Sequence, residues 1–204
     1  MPRPRSLTPD QLASAALAVI DRDGLIGLSM RAVAKELGMS TMGIYRYVRD
    51  REELEQLVVE LVLNAVDAEP PASGAPWRER IEIMARRLRD AVGAHPAVVP
   101  LTLVHRHRSA GAMRWSETVL ALLTEAGVEG ERRVVALRAL LAYVVGAIQQ
   151  EHLGPLSGEG TVAITELPAA EFPYMTETAR CARNVSADRE FFDGLALVLR
   201  GLDV

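Results

Sequence analysis

The sequence predicts an all-α fold. Three observations carry that expectation. Apolar residues recur at helical spacing in one segment after another, Ser, Thr or Asp caps and Gly or Pro stops bound many of those segments, and no stretch alternates apolar and polar residues strongly enough to make a sheet. No internal repeat is visible. The 204 residues allow one large domain or a small plus a medium one, with a core that needs neither disulfide nor metal.

The first helix is expected from Pro9 to Arg22. Leu12, Ala13, Ala16, Leu17 and Ile20 form its stripe, Thr8 caps it, and Gln11 can complete a capping box. Asp23-Gly24 should end it. Ser29 caps a second helix, Met30 to Leu37, with Val33, Ala34 and Leu37 facing inward, and Gly38 ends it. Ser40 or Thr41 caps a very short third helix reaching about Tyr47. Asp50 caps a fourth, Arg51 to Val66, striped by Leu54, Leu57, Val58, Leu61 and Val62. The segment DAEPPASGAP, 67–76, is a proline-rich break.

Further helices are expected at Trp77–Ala94, Ala97–His107 with a bend at Pro100, Ala110–Ala126 and Glu131–His152. The last of these is apolar almost all round, so it should be buried on several faces, in part by a second subunit. Leu153 to Glu171 is rich in Gly and Pro and reads as a long loop, with Val162-Ala163-Ile164 as a short extended stretch. Helices near Pro173–Ala182 and Ala187–Asp203 close the chain.

Composition narrows the function. Hydrophobic residues at 49% and charged residues at 25% exclude wholesale disorder. No uninterrupted apolar run reaches about 18 residues and MPRPRSLTPDQL lacks a signal core, so neither membrane nor secretion is expected. The single cysteine, Cys181, cannot form an internal disulfide or a thiolate-rich zinc site, and a cytoplasmic setting fits. The net charge of −4 conceals a division: residues 1–51 hold eight basic and five acidic side chains, the remainder 15 and 22. A basic head on an acidic body suggests a division of labour.

The head carries the informative motif, SMRAVAKELGMSTMGIYRY from Ser29 to Tyr47. Two turns of helix, a glycine turn and a shorter helix give helix-turn-helix spacing. Helix two packs on helix one, Gly38 permits the sharp turn, and Ile44 and Val48 pin helix three from below. Thr41, Met42, Tyr45 and Arg46 are then free to face a major groove. Tyr45 and Tyr47 have an alternative as core aromatics; beside Arg46 and Arg49 they more readily offer hydroxyls and charge to phosphates. Arg31 and Lys35 could be a solvated face only. Ser29 and Ser40 are caps first and phosphate contacts second.

From Leu7 to Val66 the chain resembles the DNA-binding region of the tetracycline-repressor (TetR) family of bacterial transcription regulators. LSMRAVAKELGMSTMGIYRYVRDREEL, Leu28 to Leu54, carries the likeness, and Trp77-Arg78, Ala94-His95-Pro96 and Phe191-Phe192-Asp193-Gly194-Leu195 extend it into the regulatory domain. The resemblance implies nine or ten helices, a helix-turn-helix domain over 5–66, and a ligand-binding and dimerisation domain over 67–204. It implies a homodimer on double-stranded operator DNA of inverted-repeat symmetry, released by a small-molecule effector, with repression as the usual mode. By that likeness Arg31, Thr41, Met42 and Arg46 face bases, and Ser29, Tyr45, Tyr47 and Arg51 face phosphates. Gly43 would allow close approach of helix three to the duplex.

The dimer interface is expected from helices Glu131–His152 and Ala187–Asp203, through Leu140, Val144, Phe191, Phe192, Leu195 and Leu199. Candidate effector contacts are Trp77, Met84, Met113, Trp115, Tyr143, Gln149 and Phe172, each with a plain core alternative, and the default ligand is hydrophobic or amphipathic. His105 and His107 point about 200° apart on a helix and cannot share a metal there; with Arg106 and Arg108 interleaved they read as a solvated basic patch. Where the likeness would place a drug-chelate histidine, near the end of helix four, the chain has Asn64, Ala65, Val66 and Asp67, so tetracycline is not the expected inducer and no metal or cofactor is required. No nucleophile elbow, phosphate loop or metal-spaced cluster supports an enzyme. An architectural DNA binder and a local activator remain as rivals within the binding class.

Overall fold

The computed structural model describes residues 7–202; Arg3 and Arg5 of the basic head, the start of the expected 5–66 domain, and Asp203 lie outside the described residues. Among the described residues the regular structure is helical throughout. Eleven α-helices follow one another: α1 Pro9–Gly27, α2 Met30–Glu36, α3 Thr41–Ile44, α4 Arg51–Asn64, α5 Trp77–Gly93, α6 Val99–His105, α7 Ala110–Glu125, α8 Gly130–Leu153, α9 Glu159–Thr165, α10 Pro173–Ala182 and α11 Ala187–Arg200, with 3₁₀ turns at Pro96–Val98 and Arg106–Arg108.

Local chemistry explains the boundaries. The Gln11 backbone N–H donates to Thr8 Oγ1 at 3.2 Å and the Thr8 N–H to Gln11 Oε1 at 3.0 Å, closing the capping box on α1. Gly24, at φ 70° and ψ 178°, interrupts α1, and Leu25–Gly27 make only a final short turn beyond it. The expected long loop does not hold. The loop from Leu153 to Glu171 contains α9, and Val162–Ile164 are helical rather than extended. Glu159 sits in the first turn, where the helix dipole favours an acid, and α9 packs on α10. That contact supplies what a seven-residue helix cannot supply alone.

The chain forms two compact units. One runs to Glu69 and takes in Asp90–Thr118; the other comprises Pro70–Arg89 and continues from Val119. Helices α5 and α7 give residues to both.

In the first unit α1 packs on α4 and α2, α2 on α3, and α4 on α6. Leu12, Ala16, Ile20, Leu28, Val33, Ile44, Leu54, Val58 and Val99 are fully buried there. Polar ties fix the arrangement: Arg22 to Glu36 at 2.9 Å, His95 to Asp21 at 2.8 Å, and the Thr118 hydroxyl to the Ala68 carbonyl at 2.8 Å. Gly111 lets α7 come against the end of α4; a Cβ there would lie 2.6 Å from Leu63 C and 2.7 Å from Asn64 N.

In the second unit α11 packs on α8. Here the expected interface residues need correction. Leu140, Val144, Phe191, Leu195 and Leu199 are buried within the chain itself, where they join α11 to α8, so they have little area left to give a partner. Phe192 is half-buried, with the Arg86 guanidinium 4.7 Å above its ring. The apolar side chains exposed on these two helices are instead Val134, Val135, Leu153 and Leu197.

Helix α8 is long and apolar enough to cross a membrane by length and composition, though only 22% of that stretch is buried in the chain. Its contact with α11 and the exposed Arg138 mark it as a packing helix with one face unspent. The Tyr143 hydroxyl donates to the carbonyls of Phe191 at 2.7 Å and Glu190 at 3.2 Å, over Gly194. Burial and the nearby Glu190 carboxylate push its phenol above the usual range. Arg89, nearly buried, bonds Asp188 at 2.7 Å and Glu151 at 3.1 Å and stacks 4.7 Å over Phe191. Burial works against its charge, but the hydrogen bonds it donates to Asp188 and Glu151 outweigh that and hold its pKa above the ordinary value.

Candidate nucleic-acid interface

The interface is built from two caps and one glycine. Ser29 Oγ accepts from the Ala32 N–H at 3.1 Å and starts α2, which buries Val33 and Ala34. After Leu37 the chain turns at Gly38, φ 64°, and the Met39 N–H returns to the Ala34 carbonyl at 2.9 Å. Ser40 Oγ then accepts from the Gly43 N–H at 3.2 Å and starts α3.

Helix α3 is a single turn, Thr41–Ile44, shorter than the expected reach to Tyr47. Residues 45–47 continue as a turn, closed by the Tyr47 N–H on Ile44 O at 2.8 Å and the Val48 N–H on the same oxygen at 3.2 Å. Ile44 and Val48 are buried and anchor this turn on the first unit's core. The opposite side is open: Met42 is 75% exposed, Tyr45 49% and Tyr47 38%. The core alternative for the two tyrosines is thereby removed. Arg31 and Arg46 are exposed, and neither guanidinium has a salt bridge or hydrogen bond among the described residues. Thr41 and Gly43 are half-buried. A Cβ on Gly43 would meet Met39 Cε at 2.7 Å, a flexible end that can move.

Arg51 stands apart. Its Nε donates to Glu55 Oε1 at 2.7 Å and an Nη to the Leu25 carbonyl at 3.3 Å, which fixes the guanidinium while leaving donors unspent. Arg49 is held by Glu53, whose carboxylate takes the Arg49 backbone N–H at 2.7 Å and its Nε at 3.1 Å. Those backbone and side-chain bonds hold Glu53 below the usual carboxylate range.

The other side of α4 is tied to neighbours within the same unit. His105 Nε2 lies 3.3 Å from Glu55 Oε2, Arg108 bonds Glu52 at 3.3 Å, and Arg114 bonds Asn64. This corrects the solvated-patch reading of His105: it is buried against α4, and only His107, on the Val104 carbonyl at 3.1 Å, and Arg108 are exposed. The sequence offered little warning, because Glu55 lies fifty residues away.

The effector candidates fall in both units. Met113 and Trp115 belong to the first, and Trp77, Met84, Tyr143, Gln149 and Phe172 to the second. Met84 and Trp115 are buried, Trp77, Tyr143 and Gln149 half-buried, and Met113 and Phe172 exposed. An open groove of about 430 Å³ in the second unit is lined by Thr165, Arg180, Arg183 and Asn184, none of them singled out from sequence.

Two family descriptions match this chain: bacterial regulatory proteins of the tetR family over residues 12–56, and the tetracyclin repressor-like C-terminal domain over 70–204. The chain is 30% identical, over its whole length and 79% of the relative, to the HTH-type transcriptional repressor DrrR1 of Streptomyces coeruleorubidus. It is 27% identical to the class D tetracycline repressor protein of Escherichia coli, over 97% of this chain and 90% of that one. Among solved structures it resembles ActR of Streptomyces coelicolor, crystallised in complex with actinorhodin, at TM-score 0.79, 29% identity and 96% coverage of each chain.

Proposed function

The chain belongs to the tetracycline-repressor family, ligand-responsive DNA-binding repressors of transcription, and we propose from this premise that it acts as a homodimer on an inverted-repeat operator. The observation that carries the reading is the one-turn α3 and the turn after it, anchored through Ile44 and Val48, with Met42 and Arg46 exposed. In this reading residues 5–66 bind DNA and 67–204 sense the effector and dimerise. Arg31, Thr41, Met42 and Arg46 read base edges, while Ser29, Tyr45, Tyr47 and Arg51 grip phosphates. Gly43 keeps α3 slim beside the duplex.

One such turn reads too few base pairs to be selective, so specificity needs two copies on two half-sites. The exposed Val134, Val135 and Leu197 support a dimer surface along α8 and α11. Removing residues from Ala187 onward would then abolish dimerisation.

The effector is a hydrophobic or amphipathic small molecule, a class supported by the actinorhodin complex of ActR. Release requires only that it bind the DNA-incompetent conformation more tightly than the competent one. Helix α4 suits the coupling, since it begins at Arg51 and is tied through Glu52 and Glu55 to Arg108 and His105. Binding, not catalysis, is the activity, and the bacterial cytoplasm is its setting.

The test is selection of random-sequence duplexes by the purified protein at physiological salt. An enriched inverted repeat bound in the nanomolar range is expected. Binding without sequence preference and with a steep salt dependence would replace the repressor by an architectural protein.

A further inference from the structure

We infer that the second unit holds an oxyanion-binding site formed by Arg180 and Arg183, taking the phosphate or carboxylate head of a small polar ligand. These two side chains line an open groove of about 430 Å³ with Thr165 and Asn184, and Arg180, Arg183 and Asn184 are exposed. The groove's lining differs from the apolar wall an amphipathic effector calls for, so this ligand is a second one.

The charge arrangement is the argument. Elsewhere the chain neutralises many of its arginines: Arg22, Arg49, Arg51, Arg80, Arg89, Arg108 and Arg189 each meet a carboxylate. Among the described residues the guanidiniums of Arg180 and Arg183 have neither salt bridge nor hydrogen bond. They lie three residues apart at the end of α10, on one face, where like charges repel. The C-terminal helix dipole favours cations there, which helps the two guanidiniums coexist without a carboxylate of their own.

The other lining groups fit the same ligand. The Thr165 hydroxyl donates to the Val162 carbonyl at 2.6 Å, leaving its lone pairs for a guanidinium or a ligand hydroxyl. The Asn184 amide adds two donors. Two forked guanidiniums and an amide present donors to planar or tetrahedral oxygens, the geometry that bidentate arginine recognition uses.

The experiment titrates the full-length protein with phenyl phosphate and, separately, with benzoate, at ionic strength fixed by chloride, followed by calorimetry and by the melting temperature. At least one probe should bind saturably. R180Q/R183Q should weaken it at least about tenfold, since each charge-assisted bond lost is worth that much. R180K/R183K should weaken it less, because charge survives while the fork does not. The two probes tell a phosphate head from a carboxylate head. Operator binding without probe should match wild type in both variants, which separates this site from the DNA-reading head. Failure of both probes to bind overturns the inference, as does equal binding by R180Q/R183Q.

Discussion

Replacing Gly111 by Ala tests a close backbone approach between α7 and α4 in the first unit. The added Cβ would lie 2.6 Å from Leu63 C and 2.7 Å from Asn64 N, with the Leu63 carbonyl oxygen also in its path. Ordinary carbon contacts are about 3.5–4.0 Å, so α4 and α7 must part by roughly 1 Å. These are backbone atoms and cannot rotate aside, which puts the overpacking cost near the top of its usual range, about 3 kcal/mol. Alanine returns about 1 kcal/mol through helix propensity. The net is about 2 kcal/mol of destabilisation, or a fall of about 4–8 °C in melting temperature for a chain of this size. Gly160→Ala is the control, because nothing lies within 4 Å of its Cβ; the same propensity gain there should raise stability by up to about 1 kcal/mol. Both are read by calorimetry at one protein concentration, since dimer melting depends on concentration. If G111A melts at or above wild type while G160A behaves as stated, the close approach of α7 to α4 is wrong.

Three other outcomes are expected. Met42→Ala and Arg46→Ala should each lose about tenfold or more in affinity for the selected operator and relax preference at one position per half-site, whereas Arg51→Ala should weaken all sequences alike and lower the salt slope by about one; uniform loss in all three would place the base-reading surface elsewhere. Val135→Asp with Leu197→Asp should turn the dimer into a monomer by sedimentation with helix content retained, and an intact dimer would move the interface off this face. Glu53 is held below its ordinary pKa, so its bonds to Arg49 contribute fully above the unfolded glutamate range and are lost as pH falls through the folded value. Glu53→Gln should therefore melt slightly below wild type at neutral pH, with the gap closing in acid; a gap independent of pH down to about 3 would contradict that assignment.

How much was legible follows the range of the interactions. The capping box at Thr8 and Gln11, the stop at Gly24, the caps at Ser29, Ser40 and Asp50 and the turn at Gly38 are all local, and the sequence displays them within four residues. The buried stripe through Leu54, Val58 and Val62 is legible for the same reason. What stayed hidden depends on partners far along the chain. His105 looked solvated beside Arg106 and Arg108 until Glu55 met it. Arg89, next to Leu88 on an apolar face, gave no hint of its bonds to Glu151 and Asp188. Leu140 and Phe191 are apolar enough for either an interface or a core, and periodicity cannot separate the two, because both are simply removed from water. Helix α9 was missed because Gly158, Gly160 and Pro155 mask a helix whose support is tertiary.

The brevity of α3 has a consequence for recognition. A single helical turn has no stability of its own, since isolated helices below about 12 residues are marginal in water. Its orientation is therefore set by the Ser40 cap and by the burial of Ile44 and Val48 against the rest of the first unit. Any shift of α2, on which α3 packs, that loosens this seat displaces the backbone that carries Met42 and Arg46. A base-reading contact tolerates errors of only a fraction of an ångström before its hydrogen bond weakens steeply. A small displacement of the seat thus suffices to abolish readout while the unpaired Arg31 and Arg46 guanidiniums still attract phosphate at long range. Induction in such a head should convert specific binding into weak, salt-sensitive binding rather than remove DNA affinity altogether, because the charges persist when the register is lost.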